Sequence, residues 1–334
     1  MPEYSKRLGQ ISPEQFQMAL DRLHLGDFVH AAPVPFGLFG QNVFLTSTKG
    51  EFVLRGAPHY VWQFPTEQFF VERLHQQTHT PVPYPYLLEL STDIFGWSFV
   101  IMPRMTGLQL QDKSIVSQLT VADRLEIARA LARMLVEVQT LTCECAGLYD
   151  PEMNRVKPFE QHYRAWIVQR IREKLAASQS YNDHTVVSDV HWVESVIAHV
   201  SPVLDLPYEP CAVLGDYGEH NTLVRRVAAS WHVSGVFDLM TAHFGDGQAD
   251  LSLPVTSYLN EDEKLADAFV QEYLHLKSMP PGFREHQQLY MLDLTLSFWR
   301  HWQRNEGGLP GKAKSLTFEQ WARPSVEYWN RFLD

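Results

Sequence analysis

Three side chains between residues 211 and 253 have the types and spacing of a phosphoryl-transfer site: Asp216, Asn221 and Asp238. Two apolar runs, residues 212–214 and 233–237, read as strands, and each delivers an Asp to its end. An Asp followed five positions later by an Asn on one tight loop can aim a carboxylate at a hydroxyl and an amide oxygen at a metal ion. A second Asp from a neighbouring strand can complete the metal site. Phosphoryl transfer needs such parts, because its catalysis is mostly positioning and charge neutralisation. The pattern D-x-x-x-x-N also arises by chance in an acidic chain, so its flanks decide. Gly215 precedes the Asp, T-L-V follows the Asn, and G-V-F-D arrives after a short hairpin.

The full stretch reads L-G-D-Y-G-E-H-N, then G-V-F-D-L, then G-D-G-Q-A-D-L. It resembles the aminoglycoside phosphotransferase and choline kinase-like family, whose signature is H-G-D-x-x-x-x-N, a hydrophobic-I-D-[WF] strand and a G-D-x-x-x-D-L turn. Within that family the hygromycin phosphotransferases are especially similar here. The resemblance implies that Asp216 is the catalytic carboxylate, Asn221 and Asp238 are Mg²⁺ ligands, and Asp250 is a buried brace for the catalytic loop. Leu214 stands where the signature has His, which removes a hydrogen bond that helps fix the loop but no group the chemistry needs. Leu239 after Asp238 changes only packing.

The positions ahead of this stretch acquire roles from the same resemblance. After a helix that starts at Ser12-Pro13-Glu14, strands are expected over F-V-H-A-A-P-V, G-L-F-G-Q-N-V-F-L-T-S and G-E-F-V-L-R-G, with Thr48-Lys49-Gly50 as a turn. Gly37, Gly40, Gln41 and Asn42 fall where the family covers its nucleotide with G-x-x-N-x-x-[YF]; a plain turn is the alternative. Arg55 takes the place of the usual phosphate-binding Lys, and a guanidinium can grip phosphate oxygens in a bidentate fashion. Its expected partner is Glu67, with Glu72 the second choice, on a helix starting at Thr66. W-S-F-V-I-M-P-R then resembles the hinge between two kinase lobes, where backbone groups of Met102, Pro103 and Arg104 would bond an adenine edge.

Bulk properties exclude several classes. The 334 residues are 45% hydrophobic and 20% charged, an ordinary globular balance with room for two domains. A net charge of −11 and the lack of a basic run argue against nucleic acid. No apolar run has the length of a membrane span, and the N-terminal residues lack a signal-peptide core, so a cytoplasmic location is expected. Three cysteines make no disulfide framework. His75 and His79, four apart, lack the Glu of H-E-x-x-H, and G-G-L-P-G-K-A-K lacks the first Gly and the Ser or Thr of a P-loop.

Beyond residue 105 helical periodicity dominates, with an apolar face of Leu125, Ala128, Leu131, Leu135 and Val138 behind a Thr120/Asp123 cap. Further helices are expected over 159–177 and 188–200 and after residue 260. Glu261, Asp262 and Glu263 open one of these, and Glu261 and Glu263 could pair with ammonium groups of an acceptor; acidic residues there also satisfy the helix dipole. The expected fold is α+β and bilobal, protein-kinase-like. Residues 1–105 would form an antiparallel sheet plus helix that binds nucleotide, and 106–334 a mainly helical catalytic and substrate lobe. The implied activity is Mg²⁺-dependent transfer of the γ-phosphate of ATP or GTP to a hydroxyl of a small molecule, such as an aminoglycoside or another cationic metabolite. The alternative is a non-catalytic, kinase-like nucleotide- or metabolite-binding regulator.

Overall fold

The computed structural model describes residues 3–35, 40–181, 184–304 and 308–332. The chain divides into two compact units. The first comprises Met1–Asp123, Tyr149–Arg155 and Gly218–Ala242; the second comprises Arg124–Leu148, Val156–Tyr217 and His243–Asp334.

In the first unit a five-stranded antiparallel sheet runs in the order Phe28–Pro33, Asn42–Ser47, Gly50–Gly56, Phe99–Pro103, Leu87–Glu89. Asn42–Ser47 alternates between buried and half-buried residues, the period-two signature of a strand with one covered face. Phe99–Pro103 lies inside the sheet, and Phe99, Val100, Ile101 and Met102 are all buried. The helix Pro13–Arg22 packs Phe16, Ala19 and Leu20 against Val43, Leu45, Leu54, Phe99 and Ile101. Each large side chain buried there contributes roughly 1.5–3 kcal/mol. That helix starts with a reciprocal cap: Gln15 N–H donates to Ser12 Oγ, and Ser12 N–H to Gln15 Oε1.

The helix expected from Thr66 begins earlier, at Gln63, and runs to Gln77. Pro65 does not stop it, because first-turn N–H groups have no intrahelical partner to lose. The hairpin Thr222–Val227/Ser230–Val236 completes the first unit, and Val236 N–H donates to Pro81 O at 2.8 Å.

The second unit is mainly helical. Phe283–Arg304 is its central rod, buried over most of its surface and packed against the helices Tyr163–Gln179, Val187–Val200, Ser252–Leu259 and Phe318–Glu327. Several Trp and Phe residues of this region are core: Trp192, Phe283, Phe318 and Trp329 are buried, and Trp299 is fully buried against Phe318 and Trp321. The helix expected over 159–177 starts at Tyr163; Phe159 follows the strand Arg155–Pro158 outside the helix and stacks on Trp166. A short strand, Cys211–Val213, pairs with His243–Gly245. Among the described residues no helix is long and apolar enough to cross a membrane. The α+β, protein-kinase-like fold expected from the sequence is the fold observed, with an antiparallel sheet in the N-terminal part and a mainly helical remainder.

Candidate functional site

Register places the first pair of site residues. The tight turn at Thr48-Lys49 sets Asn42 opposite Arg55 on adjacent strands, and Arg55 Nε donates to Asn42 Oδ1 at 3.0 Å. Arg55 Nη1 donates to both oxygens of Glu67, at 2.9 and 2.8 Å, and lies 3.3 Å from Asp238 Oδ1. Glu67 is fully buried, yet it also accepts from Tyr86 Oη at 2.6 Å and from Leu239 N–H at 3.0 Å. A buried carboxylate is tolerable only when it is satisfied in this way. Burial pulls the Arg55 pKa down, but the charges of Glu67 and Asp238 outweigh it and the net direction is up. Burial, and then the Glu67 charge, holds the Tyr86 hydroxyl well above its usual range.

Asn221 closes a one-turn 3₁₀ helix, Glu219–Asn221, and its carbonyl accepts Phe237 N–H at 3.1 Å. This bond ties the end of the Ser230–Val236 strand back to the loop. Asp238 follows with φ +65°, a left-handed conformation that costs on the order of 1–3 kcal/mol away from glycine and collects at functional sites. Asn42, Arg55, Met102, Arg104, Asn221 and Asp238 all line one cavity of about 210 Å³ in the first unit. Phe44, Val53, Leu223 and Phe237 give it apolar walls. One carboxylate and one amide oxygen on the same cavity fit a hard ion that takes its remaining ligands from phosphates and water. Among the described residues no three His, Cys, Asp or Glu side chains converge on a metal position, and Mg²⁺ held in this manner requires none.

At the end of the strand Phe99–Pro103, where backbone groups are expected to meet an adenine edge, the N–H groups are partly used up. Arg104 N–H donates to Glu51 O at 3.0 Å and is spent within the protein, and Pro103 has no N–H. Met105, also on the cavity, forms no backbone hydrogen bond among the described residues. The Arg104 guanidinium instead lies over the Phe44 ring, 4.0 Å from its centroid. Gly40, at φ +58°, accepts the Ser5 hydroxyl through its carbonyl, and a Cβ there would meet Ser5 Cβ at 2.8 Å. Gly37 lies outside the described residues. His75 stacks on Tyr84 at 3.9 Å.

In the second unit the strand Cys211–Val213 leads into Leu214-Gly215-Asp216. Asp250 Oδ2 accepts Leu214 N–H at 2.6 Å, and its Oδ1 accepts Gly215 N–H at 2.8 Å. The two peptides preceding Asp216 are thereby clamped, while Tyr217 Oη donates to Leu131 O at 2.8 Å on the other side. Asp216 itself is half-buried, next to the exposed Gly215. Burial pushes the Asp250 carboxyl up to about 7, against the two N–H donors and with a further push from the Asp216 charge. At the other end of the G-D-x-x-x-D-L turn, Asp246 Oδ2 accepts Arg164 Nη2 at 2.6 Å and Tyr290 Oη at 2.7 Å. Nothing local in the sequence marks Arg164, which lies 82 positions from Asp246.

Glu261 and Glu263, expected to meet an acceptor's ammonium groups, each have an arginine partner within the second unit. Glu261 pairs with Arg124 at 2.8 Å and Glu263 with Arg331 at 2.7 Å, while Asp262 caps the helix Glu263–Leu276.

The model of the phosphotransferase enzyme family (APH) matches residues 30–289. The chain belongs to this family. No curated protein sequence matches it. Solved structures share the APH fold at low identity. A candidate aminoglycoside phosphotransferase from Ralstonia eutropha JMP134 is 17% identical with a TM-score of 0.67, the match covering 97% of this chain and 100% of that one. A thermostable mutant of APH(4)-Ia, in ternary complex with ADP and hygromycin B, is 15% identical with a TM-score of 0.61, covering 94% and 97%. A candidate fructosamine-3-kinase from Thermobifida fusca YX-ER1 is 16% identical with a TM-score of 0.61, covering 95% and 98%. Membership of the APH family supports a small-molecule phosphotransferase.

Proposed function

We propose that this APH-family chain moves the γ-phosphoryl group of ATP or GTP directly to a hydroxyl of a small molecule. The observation that carries the reading is the cluster Arg55–Glu67–Asp238 on a cavity that Asn42, Met102, Arg104 and Asn221 also line. It combines a permanently charged guanidinium, a hard-oxygen donor pair and apolar walls for a base. In this reading residues 1–105 take the nucleotide and 106–334 carry the catalytic and acceptor groups.

Each side chain then has a task. Arg55 offers the phosphates a fixed positive charge, oriented by Glu67 and Asn42. Asn221 and Asp238 would hold Mg²⁺, which supplies charge neutralisation on the phosphate oxygens when bound. Asp216 accepts the proton of the acceptor hydroxyl as its oxygen bonds to the γ-phosphorus. The bridging oxygen leaves with its electron pair on the nucleoside diphosphate, so no phospho-enzyme forms. For the acceptor we propose a hydroxylated, cationic molecule, an aminoglycoside or an amine-bearing metabolite. The support is the pair of neighbours, one holding hygromycin B and one a candidate fructosamine-3-kinase, together with the chain's net charge of −11.

The test is a phosphorylation screen of the purified protein with Mg²⁺ and either ATP or GTP against aminoglycosides, fructosamines and neutral polyols. Acceptor-dependent release of diphosphate that vanishes in Asp216→Asn supports the proposal. Nucleotide binding without turnover on any acceptor would favour the non-catalytic regulator instead.

A further inference from the structure

A second cavity, of about 370 Å³, lies in the second unit and is lined by Lys174, Ser297, Arg300, His301 and Arg304. Its composition runs against the chain, which carries 39 acidic and 28 basic residues. Ser297, Arg300, His301 and Arg304 share one face of the helix Phe283–Arg304, because positions three and four apart on a helix are neighbours. Lys174 reaches that face from the helix Tyr163–Gln179.

The cations here outnumber their counter-ion. Asp293 takes Lys174 Nζ at 2.6 Å and Arg170 Nη2 at 3.4 Å, and Lys174 also donates to Ser297 Oγ at 2.7 Å. Asp293 is thus spent on two cations one turn below the cavity. Among the described residues neither Arg300 nor Arg304 has a carboxylate at ion-pair distance, and the buried Arg300 Nε has no hydrogen-bond partner. Burial pulls the Lys174 pKa down, Asp293 opposes this, and Arg170 and Arg300 pull it down further. Like charges in a partly buried cluster repel, and a buried donor left unmade is costly. A cation's preference for a helix C-terminus accounts for His301 and Arg304 in the last turn, not for Arg300 and Lys174 beside them.

We infer that this cleft is a binding site for a phosphate group, free or carried on a small molecule, gripped by the guanidinium forks of Arg300 and Arg304 beside Lys174. Two arginines one turn apart suit the oxygens of a tetrahedral dianion, whose charge also offsets the surplus. The site is independent of the phosphoryl-transfer reading, since none of its residues lines the Arg55 cavity.

The experiment is calorimetric titration of inorganic phosphate into the full chain, with sodium chloride at matched ionic strength as the control. Saturable binding is expected for phosphate and not for chloride, weakened at least about tenfold in the double variant Arg300→Gln/Arg304→Gln. The single variant Arg304→Gln, at an exposed position, stands in if the double variant does not fold, with about a threefold loss expected. Absence of saturable phosphate binding, or equal affinity in wild type and variants, overturns the inference. A phosphate monoester, glycerol 3-phosphate, distinguishes the source: tighter binding than phosphate points to a phosphorylated metabolite, equal binding to free phosphate.

Discussion

One nitrogen of Arg55 serves two carboxylates: Nη1 sits 2.8 Å from Glu67 Oε2 and 3.3 Å from Asp238 Oδ1. The guanidinium therefore joins the helix Gln63–Gln77 to the turn that follows the strand Ser230–Val236. A lysine ammonium is a point charge, whereas the fork of Arg55 also reaches Asn42 through Nε.

The first prediction tests this junction. Arg55→Ala leaves Glu67 buried without its counter-ion, so we expect a loss of about 3–5 kcal/mol in unfolding free energy. Arg55→Lys, which restores the charge, should recover most of the stability and raise the nucleotide KM only modestly. Denaturant unfolding and nucleotide titration of both variants check it. If Arg55→Ala is as stable as wild type, the pair does not hold the unit together.

Asp238→Ala should abolish Mg²⁺-dependent nucleotide binding, because it removes the only carboxylate proposed as a metal ligand. Asp238→Asn is the finer probe: asparagine tolerates the left-handed conformation at φ +65° and keeps an oxygen, but carries no charge. Calorimetry with and without Mg²⁺ should show no binding for the first variant and weakened binding for the second. Titrations unaffected by metal in either protein would remove Asp238 from the metal site.

For Asp216→Asn we expect kcat to fall by about two orders of magnitude or more, with nucleotide affinity nearly unchanged. Steady-state kinetics on an acceptor found in the screen, beside nucleotide binding, separates the two effects. Retained turnover would mean that another group takes the proton.

Asp250 makes stability depend on pH in a direction opposite to that of a salt-bridged carboxylate. Its pKa rises from 3.8 to about 7 on folding, so its favourable contribution is complete below pH 3.8 and is lost as pH rises toward 7. Asp250→Asn cannot ionise, and its melting temperature should lack this decline between pH 4 and 7. One of the N–H groups of Leu214 and Gly215 then loses its acceptor, so the variant should melt lower than wild type at pH 4. Thermal melts across that range decide the matter; parallel pH profiles for the two proteins would assign the dependence to another group.

Local order was legible because backbone periodicity fixes it. Thr48-Lys49-Gly50 between two strands is enough to set Asn42 opposite Arg55, and the spacing of Ser12-Pro13-Glu14 is enough to start a helix. The types and order of Asp216, Asn221 and Asp238 could likewise be read directly, since their chemistry lies in the side chains themselves. Glu67 was already the expected partner of Arg55 ahead of Glu72, and the fold agrees. Tertiary structure alone decided the other partners: that Tyr86 and Leu239 N–H complete the Glu67 shell, that Arg104 N–H is spent on Glu51, and that Arg164 clamps Asp246 are all choices among distant candidates. The helix Gln63–Gln77 turns the fully buried Glu67 toward Arg55 and leaves Glu72 only half-buried. Packing selects among such candidates because a buried charge must find its donors wherever the fold brings them, and sequence distance has no bearing on that energy.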